Sequence, residues 1–171
     1  RLSVRGDNLR YIEQTDQLGT AHAVLQAAPL LHSNGITLIL YGDVPLISAE
    51  TIAQMLHKVS DRSMSLLTVL LADPAGYGRI VRDENGLVEA IVEQKDASEA
   101  QLQISEVNTG VLALPSKCLQ EWLPQIGNEN AQGEYYLTDI ISIARSAGFR
   151  VETLHPESAE EVEGVNNRLQ L

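Results

Sequence analysis

The chain has 171 residues, 12 basic and 23 acidic side chains, a formal net charge of −11 and a 44% hydrophobic content. That length suits one domain or a large part of one, and the apolar content excludes a disordered polypeptide. The acidic balance argues against generic binding to nucleic-acid phosphates or anionic lipid, and no apolar run approaches the ~18 residues that a membrane span requires.

The single cysteine, Cys118, excludes a disulfide framework and a thiolate zinc cluster, and it suits a reducing, cytoplasmic setting. The opening RLSVRGDNLR lacks the apolar stretch of a secretory signal, and the absence of an initial Met points to a fragment or a processed chain. Acidity does not argue against a nucleotide ligand, because a bound divalent cation inverts the local charge.

Strands and helices alternate along the chain. A short strand is expected over Leu9–Gln14, then a polar turn at Thr15–Gly19, then a helix opening at Thr20 with Ala23, Ala27, Leu30 and Leu31 at helical spacing. Ile36–Tyr41, the run ITLILY, reads as a strand buried on both faces. Ser48 caps a helix whose apolar stripe is Ile52, Met55, Leu56 and Val59. Ser65–Leu71 is a second buried strand, and Asp73–Tyr77 is turn chemistry.

Arg79–Arg82 and Leu87–Glu93 flank Asp83-Glu84-Asn85-Gly86, a hairpin signal. Ser105–Leu114 is a further strand, and Ser116 is placed to cap a helix running to Pro124. After the polar loop Gly127–Gly133, a helix starts at Thr138 or Asp139 and stops at Gly148. A strand at Phe149–Leu154, a helical turn from Ser158 and a helix start at Asn166–Leu171 complete the pattern. Alternating β and α elements with buried strands imply a three-layer α/β fold. The sheet is expected to be mostly parallel, and the hairpin makes it mixed.

Several short constellations can carry chemistry. Tyr41-Gly42-Asp43 ends a buried strand, where ligands of open α/β sheets bind. Asp43 offers a hard oxygen to Mg²⁺ there, or is simply a solvated loop carboxylate. Gln14-Thr15-Asp16-Gln17-Leu18-Gly19-Thr20 places amides and a helix N-terminus together, suited to reading a base or to plain capping. Gly76-Tyr77-Gly78-Arg79 permits close approach of backbone to a sugar, or serves a bend.

Glu93-Gln94-Lys95-Asp96 follows a strand directly, and Glu106-Val107-Asn108-Thr109-Gly110 puts polar groups inside an apolar one, where they need partners. Glu163-Gly164-Val165-Asn166-Asn167-Arg168 holds paired Asn residues before a helix, a usual capping pattern. The four His residues, Cys118 and Trp122 read as surface or packing residues. No G-x-S-x-G, Walker P-loop or G-x-G-x-x-G occurs, so hydrolase, P-loop and dinucleotide readings lose their usual basis.

Seven stretches occur in order: QTDQLGTAHA, LYGDVPLIS, DPAGYGRIVR, IVEQKDA, EVNTGV, NAQGEYYLTDII and EVEGVNNRLQL. Together they resemble the bacterial N-acetylglucosamine-1-phosphate uridyltransferases. Within that family the chain is similar to the N-terminal domain of the bifunctional enzymes that also acetylate glucosamine 1-phosphate. The resemblance runs from about Gln14 to Leu171 and implies a Rossmann-like nucleotidyltransferase (nucleotide-diphospho-sugar transferase) fold, with residues 1–171 as a single, partial domain.

The implied reaction joins UTP and N-acetylglucosamine 1-phosphate to give UDP-N-acetylglucosamine and pyrophosphate. That product feeds cell-wall precursors, peptidoglycan and lipopolysaccharide. By resemblance, Gln14, Gly19 and Thr20 recognise uracil, and Tyr41, Gly42 and Asp43 line the nucleotide. Asp43 and Asn166 are the catalytic pair that holds Mg²⁺. Gly78, Glu93 and Asn108 hold sugar and ribose hydroxyls, while Tyr136 and Thr138 face the acceptor sugar.

The family opens with a Gly-rich loop of the form L-x-A-G-x-G-T-R-M and a Pro-Lys, which together bind the triphosphate. No such run stands in these 171 residues, nor does the hexapeptide-repeat β-helix that carries acetyl transfer and trimer contacts in the family. The expectation is a chain that holds the metal, base and sugar half of a site and releases no pyrophosphate unaided. A non-catalytic sugar-nucleotide-binding piece and a nucleotidyltransferase for another base or sugar are the alternatives.

Overall fold

Ten residues at the centre of the chain organise the sheet. In the computed structural model, which describes residues 9–162, strand β5 (Glu106–Pro115) is the longest. One of its edges pairs antiparallel with β2 (Ser63–Leu70), from Ser65 opposite Ala113 to Leu70 opposite Glu106. Its other edge is shared. β1 (Ile36–Ile39) pairs with the C-terminal part, Ile36 opposite Pro115 and Ile39 opposite Leu112. β3 (Arg79–Arg82) meets the N-terminal part at Arg79 opposite Val107.

β4 (Val88–Val92) closes the hairpin with β3, turning through Asn85-Gly86 as the sequence predicts. β6 (Arg150–Leu154) adds to β2 in parallel. The resulting mixed sheet has six strands. β1, β2, β3 and β6 point one way and β4 and β5 the other. The expectation of a mostly parallel sheet therefore holds for strand direction but not for neighbours. Among the described residues only β2 and β6 form a parallel ladder, because β5 runs against every strand it touches.

Helices cover both faces, as a three-layer fold requires. Alternation along β2 divides the core: Met64 and Leu66 face one layer, Leu67 and Val69 the other. The first layer receives α1 (Thr20–Ala27), α4 (Ser116–Trp122) and α5 (Ile140–Ser146) through Ala21, Leu119, Ile140 and Ile141. Trp122 and Phe149 meet there edge to face at 4.9 Å. The second layer receives α2 (Ala49–His57) through Met55. Ser48 caps α2 by accepting from Thr51 N–H at 3.0 Å.

Four expectations change. Residues 9–14 form no strand, and Leu9, Tyr11 and Ile12 are exposed, since no described strand offers them an edge. β1 is only half-buried, with Ile36 49% exposed and Leu40, just past its end, 44% exposed, because among the described residues it pairs on one side alone. Ser116 does not cap α4, as its hydroxyl is bonded to Thr37 Oγ1 at 2.7 Å. A short helix, α3 (Glu99–Leu102), went unpredicted, although Ser98 and Gln101 form a capping box that the S-x-x-Q spacing displays. No helix among the described residues is long and apolar enough to cross a membrane.

The hairpin is latched to the sheet by charge. Arg82 reaches Glu106 with two hydrogen bonds, Nη2 to Oε1 at 2.6 Å and Nε to Oε2 at 2.8 Å, and Thr68 Oγ1 donates to the same carboxylate at 2.8 Å. Burial alone would raise the Glu106 pKa. The hydrogen bonds from Arg82 and Thr68, with the Arg82 charge, outweigh it and hold the carboxyl below the usual glutamate range. The unfolded chain therefore binds the proton more readily. The resulting stability is present above the ordinary glutamate pKa and is lost as pH falls through the folded value. Melting temperature measured against pH should fall more steeply into acid for the wild type than for Glu106→Gln. Equal slopes would show that the latch does not contribute.

Candidate functional site

The cavity forms where the two ladders on one edge of β5 fail to meet. β3 pairs at Val107 and β1 begins pairing at Leu112, so residues 108–111 have no strand on that side. The β2 register also shifts there: Leu66 faces Leu112, but Thr68 faces Asn108. The extra residues form a bulge, a device that re-aims side chains beside active sites. Thr109 Oγ1 donates to Leu67 O at 2.8 Å, and Asn108 Oδ1 accepts from Gly110 N–H at 2.9 Å. Asn108 N–H donates to Gly78 O at 2.9 Å, which ties the bulge to the start of β3.

A cavity of about 560 Å³ opens over this gap. Of the sequence-predicted residues, Thr20, Tyr41, Asp43, Gly78, Glu93, Asn108, Tyr136 and Thr138 line it. Asp43 and Glu93 arrive beyond the carboxyl ends of β1 and β4, where a strand-end ligand site is expected. Gln14, Gly19 and Gly42 are not among the lining residues. The Gln14 amide donates to Gly19 O at 3.1 Å and meets His22 Nδ1 at 3.1 Å. Gly19 packs on the Tyr135 backbone, where an added Cβ would lie 2.6 Å from the carbonyl oxygen. Asn166 lies outside the described residues.

Gly76, Tyr77, Gln132 and Glu134, which lie in stretches singled out above but carried no individual assignment, complete the wall, with Gly110 at its floor. Gln132 and Glu134 sit in a segment that reads from composition only as a loop. Gln132 donates to the Tyr136 hydroxyl at 2.8 Å. Gly110 closes the Glu106–Gly110 constellation, and an isolated Gly within a strand marks a bulge or a close approach. It serves both purposes. Its φ is +83°, and a Cβ there would lie 1.7 Å from Tyr41 Cε2. The aromatic ring of Tyr41 occupies the space that a side chain at position 110 would need.

The site is acidic. Burial pushes the Glu93 carboxyl above its usual range, and Asp96 and Asp139 add to this against a 3.1 Å hydrogen bond from Thr138 Oγ1. Burial also raises the Tyr41 phenol, with the Glu93 charge reinforcing the shift. Such a cavity repels phosphate unless a cation is present. Its donor at the strand end, the exposed Asp43 carboxylate, is a hard oxygen. No group of three or more His, Cys, Asp and Glu in metal-holding geometry occurs among the described residues. One carboxylate with the remaining positions left to ligand and water is the pattern that suits Mg²⁺.

A family model described as nucleotidyl transferase matches residues 3–157. The bifunctional protein GlmU of Saccharophagus degradans is 59% identical over 170 residues, covering 99% of this chain and 38% of the relative. GlmU of Stutzerimonas stutzeri is 56% identical over the whole chain, again 38% of the relative, and that of Marinobacter nauticus is 54% identical. The chain thus spans well under half the length of these relatives. A provisionally assigned glucose-1-phosphate thymidylyltransferase from Bacillus anthracis, crystallised with sucrose, has a TM-score of 0.61 at 18% identity. That match covers 84% of this chain and 55% of the other and shows the fold alone.

The Gly110–Tyr41 contact gives a direct test. Gly110→Ala should displace the Tyr41 ring and strain a left-handed backbone position, while the two core layers remain packed. Tyr41 fluorescence and ligand binding should both change, and the far-ultraviolet circular dichroism should not. An unaltered Tyr41 environment would disprove the contact.

Proposed function

The chain belongs to the nucleotidyl transferase family, and on that premise we propose that its cavity binds a uridine nucleotide and N-acetylglucosamine 1-phosphate for transfer of a uridylyl group. The products would be UDP-N-acetylglucosamine and pyrophosphate. One observation carries this reading. Four separated motifs, those holding Asp43, Gly78, Glu93 and Asn108, meet around one cavity at the strand ends. The high identity to GlmU proteins supports the same substrates.

The chemistry is a displacement at phosphorus. A phosphate oxygen of the sugar phosphate attacks the α-phosphorus of UTP. The bond from that phosphorus to the bridging oxygen breaks, and pyrophosphate leaves with the electron pair. Little covalent work falls to side chains in such a transfer, so positioning and charge dominate. Asp43, with Asn166 as second ligand, would hold Mg²⁺, which supplies charge neutralisation at the phosphates.

Glu93 and Asn108 face the cavity from opposite sides of Gly78 and are placed to hydrogen-bond sugar hydroxyls or the acetamido group. The close fit at Gly78 reinforces this. A Cβ there would stand 2.9 Å from Ile91 Cγ2 and 3.3 Å from both Glu93 carboxylate oxygens, so bare backbone at position 78 is what lets the Glu93 carboxylate lie against this wall. Thr138 holds one Glu93 oxygen and fixes its direction. Thr20, Gln14 and Gly19 are assigned to the base, with Thr20 nearest the cavity.

Two measurements test the reading. Asp43→Asn should lower Mg²⁺-dependent pyrophosphate release about 100-fold or more in a protein that carries the Gly-rich loop of the resembled family, with the fold intact. Near-normal turnover at saturating Mg²⁺ would remove the metal-ligand role. Asn108→Ala should weaken N-acetylglucosamine 1-phosphate by about five- to 100-fold, the effect of one unpaired buried group, and leave UTP nearly unchanged. Equal losses for both substrates would contradict the sugar assignment.

A further inference from the structure

Arg79 is 2% exposed, and its Nε has no hydrogen-bond partner among the described residues. It stands opposite Val107, within the apolar layer on that face of the sheet. Burying a guanidinium there is costly unless its remaining donors are well used. They are directed at one place. Nη1 donates to Tyr77 O, and Nη2 approaches Gln94 Oε1 at 3.5 Å. The same Gln94 oxygen accepts from Gly76 N–H. Arg79 and Gln94 thus clamp the backbone of residues 76 and 77 from two directions.

The clamped segment is the cavity wall. Gly76, Tyr77 and Gly78 all line it. Gly76 has a φ of +89°, so the segment bends sharply, and a 3.2 Å bond from Tyr77 N–H to Pro74 O closes the turn. Without the clamp, a glycine with open space around it would leave this wall free to relax. Gln94 also follows Glu93 directly. Glu93 in turn lies against the Gly78 backbone, so the clamp fixes the Gly76–Gly78 backbone and the adjoining Glu93 carboxylate as one stretch of wall on the sugar side.

We propose that Arg79 and Gln94 are positioning residues that hold the sugar-side wall of the cavity, the backbone of residues 76–78, in place without touching the sugar. This rests on the nucleotidyl-transfer reading above and adds to it a determinant of sugar selection. Because the clamp lies on the sugar side, its loss should be felt by the sugar and not by the uridine part.

The test is calorimetric titration of the chain with UDP-N-acetylglucosamine and, separately, with UDP. Gln94 is exposed, so its substitution spares the core. Gln94→Met removes the acceptor while keeping side-chain length, and Gln94→Glu restores an acceptor oxygen. Gln94→Met should weaken UDP-N-acetylglucosamine about five- to tenfold with little change for UDP, the effect of one lost hydrogen-bond acceptor. Gln94→Glu should return binding to near the wild-type level. Wild-type-like binding by Gln94→Met, or equal weakening of both ligands, would overturn the clamp while leaving the proposed function standing. A wild-type chain that binds neither ligand would overturn the proposed function and this inference with it.

Discussion

A single strand serves two partners along one edge, and the site follows from that. β5 has ten residues, whereas β1 and β3 have four each, so together they cannot cover it. An uncovered strand edge is ordinarily a liability, because its free amide and carbonyl groups invite pairing with another chain. Here the bulge at residues 109–111 consumes those groups locally. The Asn108 side chain takes the Gly110 amide, and the Thr109 hydroxyl takes the Val111 amide. The gap is thereby closed to another strand but open to a ligand. Tyr41 fills the notch left by Gly110, which links the end of β1 to the floor of the cavity.

Three contacts restrain the hairpin β3–β4. Arg82 grips Glu106 near the far end of β3. Arg145 on α5 reaches Asp83 at the turn, at 3.0 Å. Near the cavity, Arg79 and Gln94 hold the approach to the hairpin. Exposed ion pairs contribute little on their own. The Arg82–Glu106 pair is two-pronged and partly buried, with Thr68 as a further donor, so its geometry is better determined than that of a lone surface pair. Gly78 and Glu93, one from each side of the hairpin, owe their relative placement to these restraints.

Charge sets the second constraint. Glu93, Asp43 and Glu134 all line the cavity, with Asp96 and Asp139 close behind. Burial raises the pKa of Glu93 and of Tyr41, and the neighbouring acids add to it. A cavity of this sign discriminates in favour of ligands that bring hydroxyls, amides and a cation, and against a bare phosphate. The proposed pairing of Mg²⁺ with a sugar nucleotide meets both conditions.

The elements with strong local signals were legible in the sequence. Asn85-Gly86 dictated the hairpin, Ser48 the start of α2, and the apolar run of β2 a strand buried on both faces. The order of motifs was equally legible, and eight of the residues that the resemblance singled out line one cavity. What failed were choices between partners. The short run Leu9–Gln14 was expected to form a strand, but among the described residues no edge receives it. The apolar run of β1 predicted burial on both faces, but a run cannot report whether a second neighbour is present. Ser116 had the chemistry of a cap and spent it on Thr37. The Gly110–Tyr41 notch and the Arg79–Gln94 clamp left no signal in their own neighbourhoods that named their partners. Backbone preference and the periods of helix and strand are properties of residues adjacent in the chain, so the sequence determined them. Pairing of edges and placement of a buried cation depend on groups brought together only by folding, so the tertiary structure decided those.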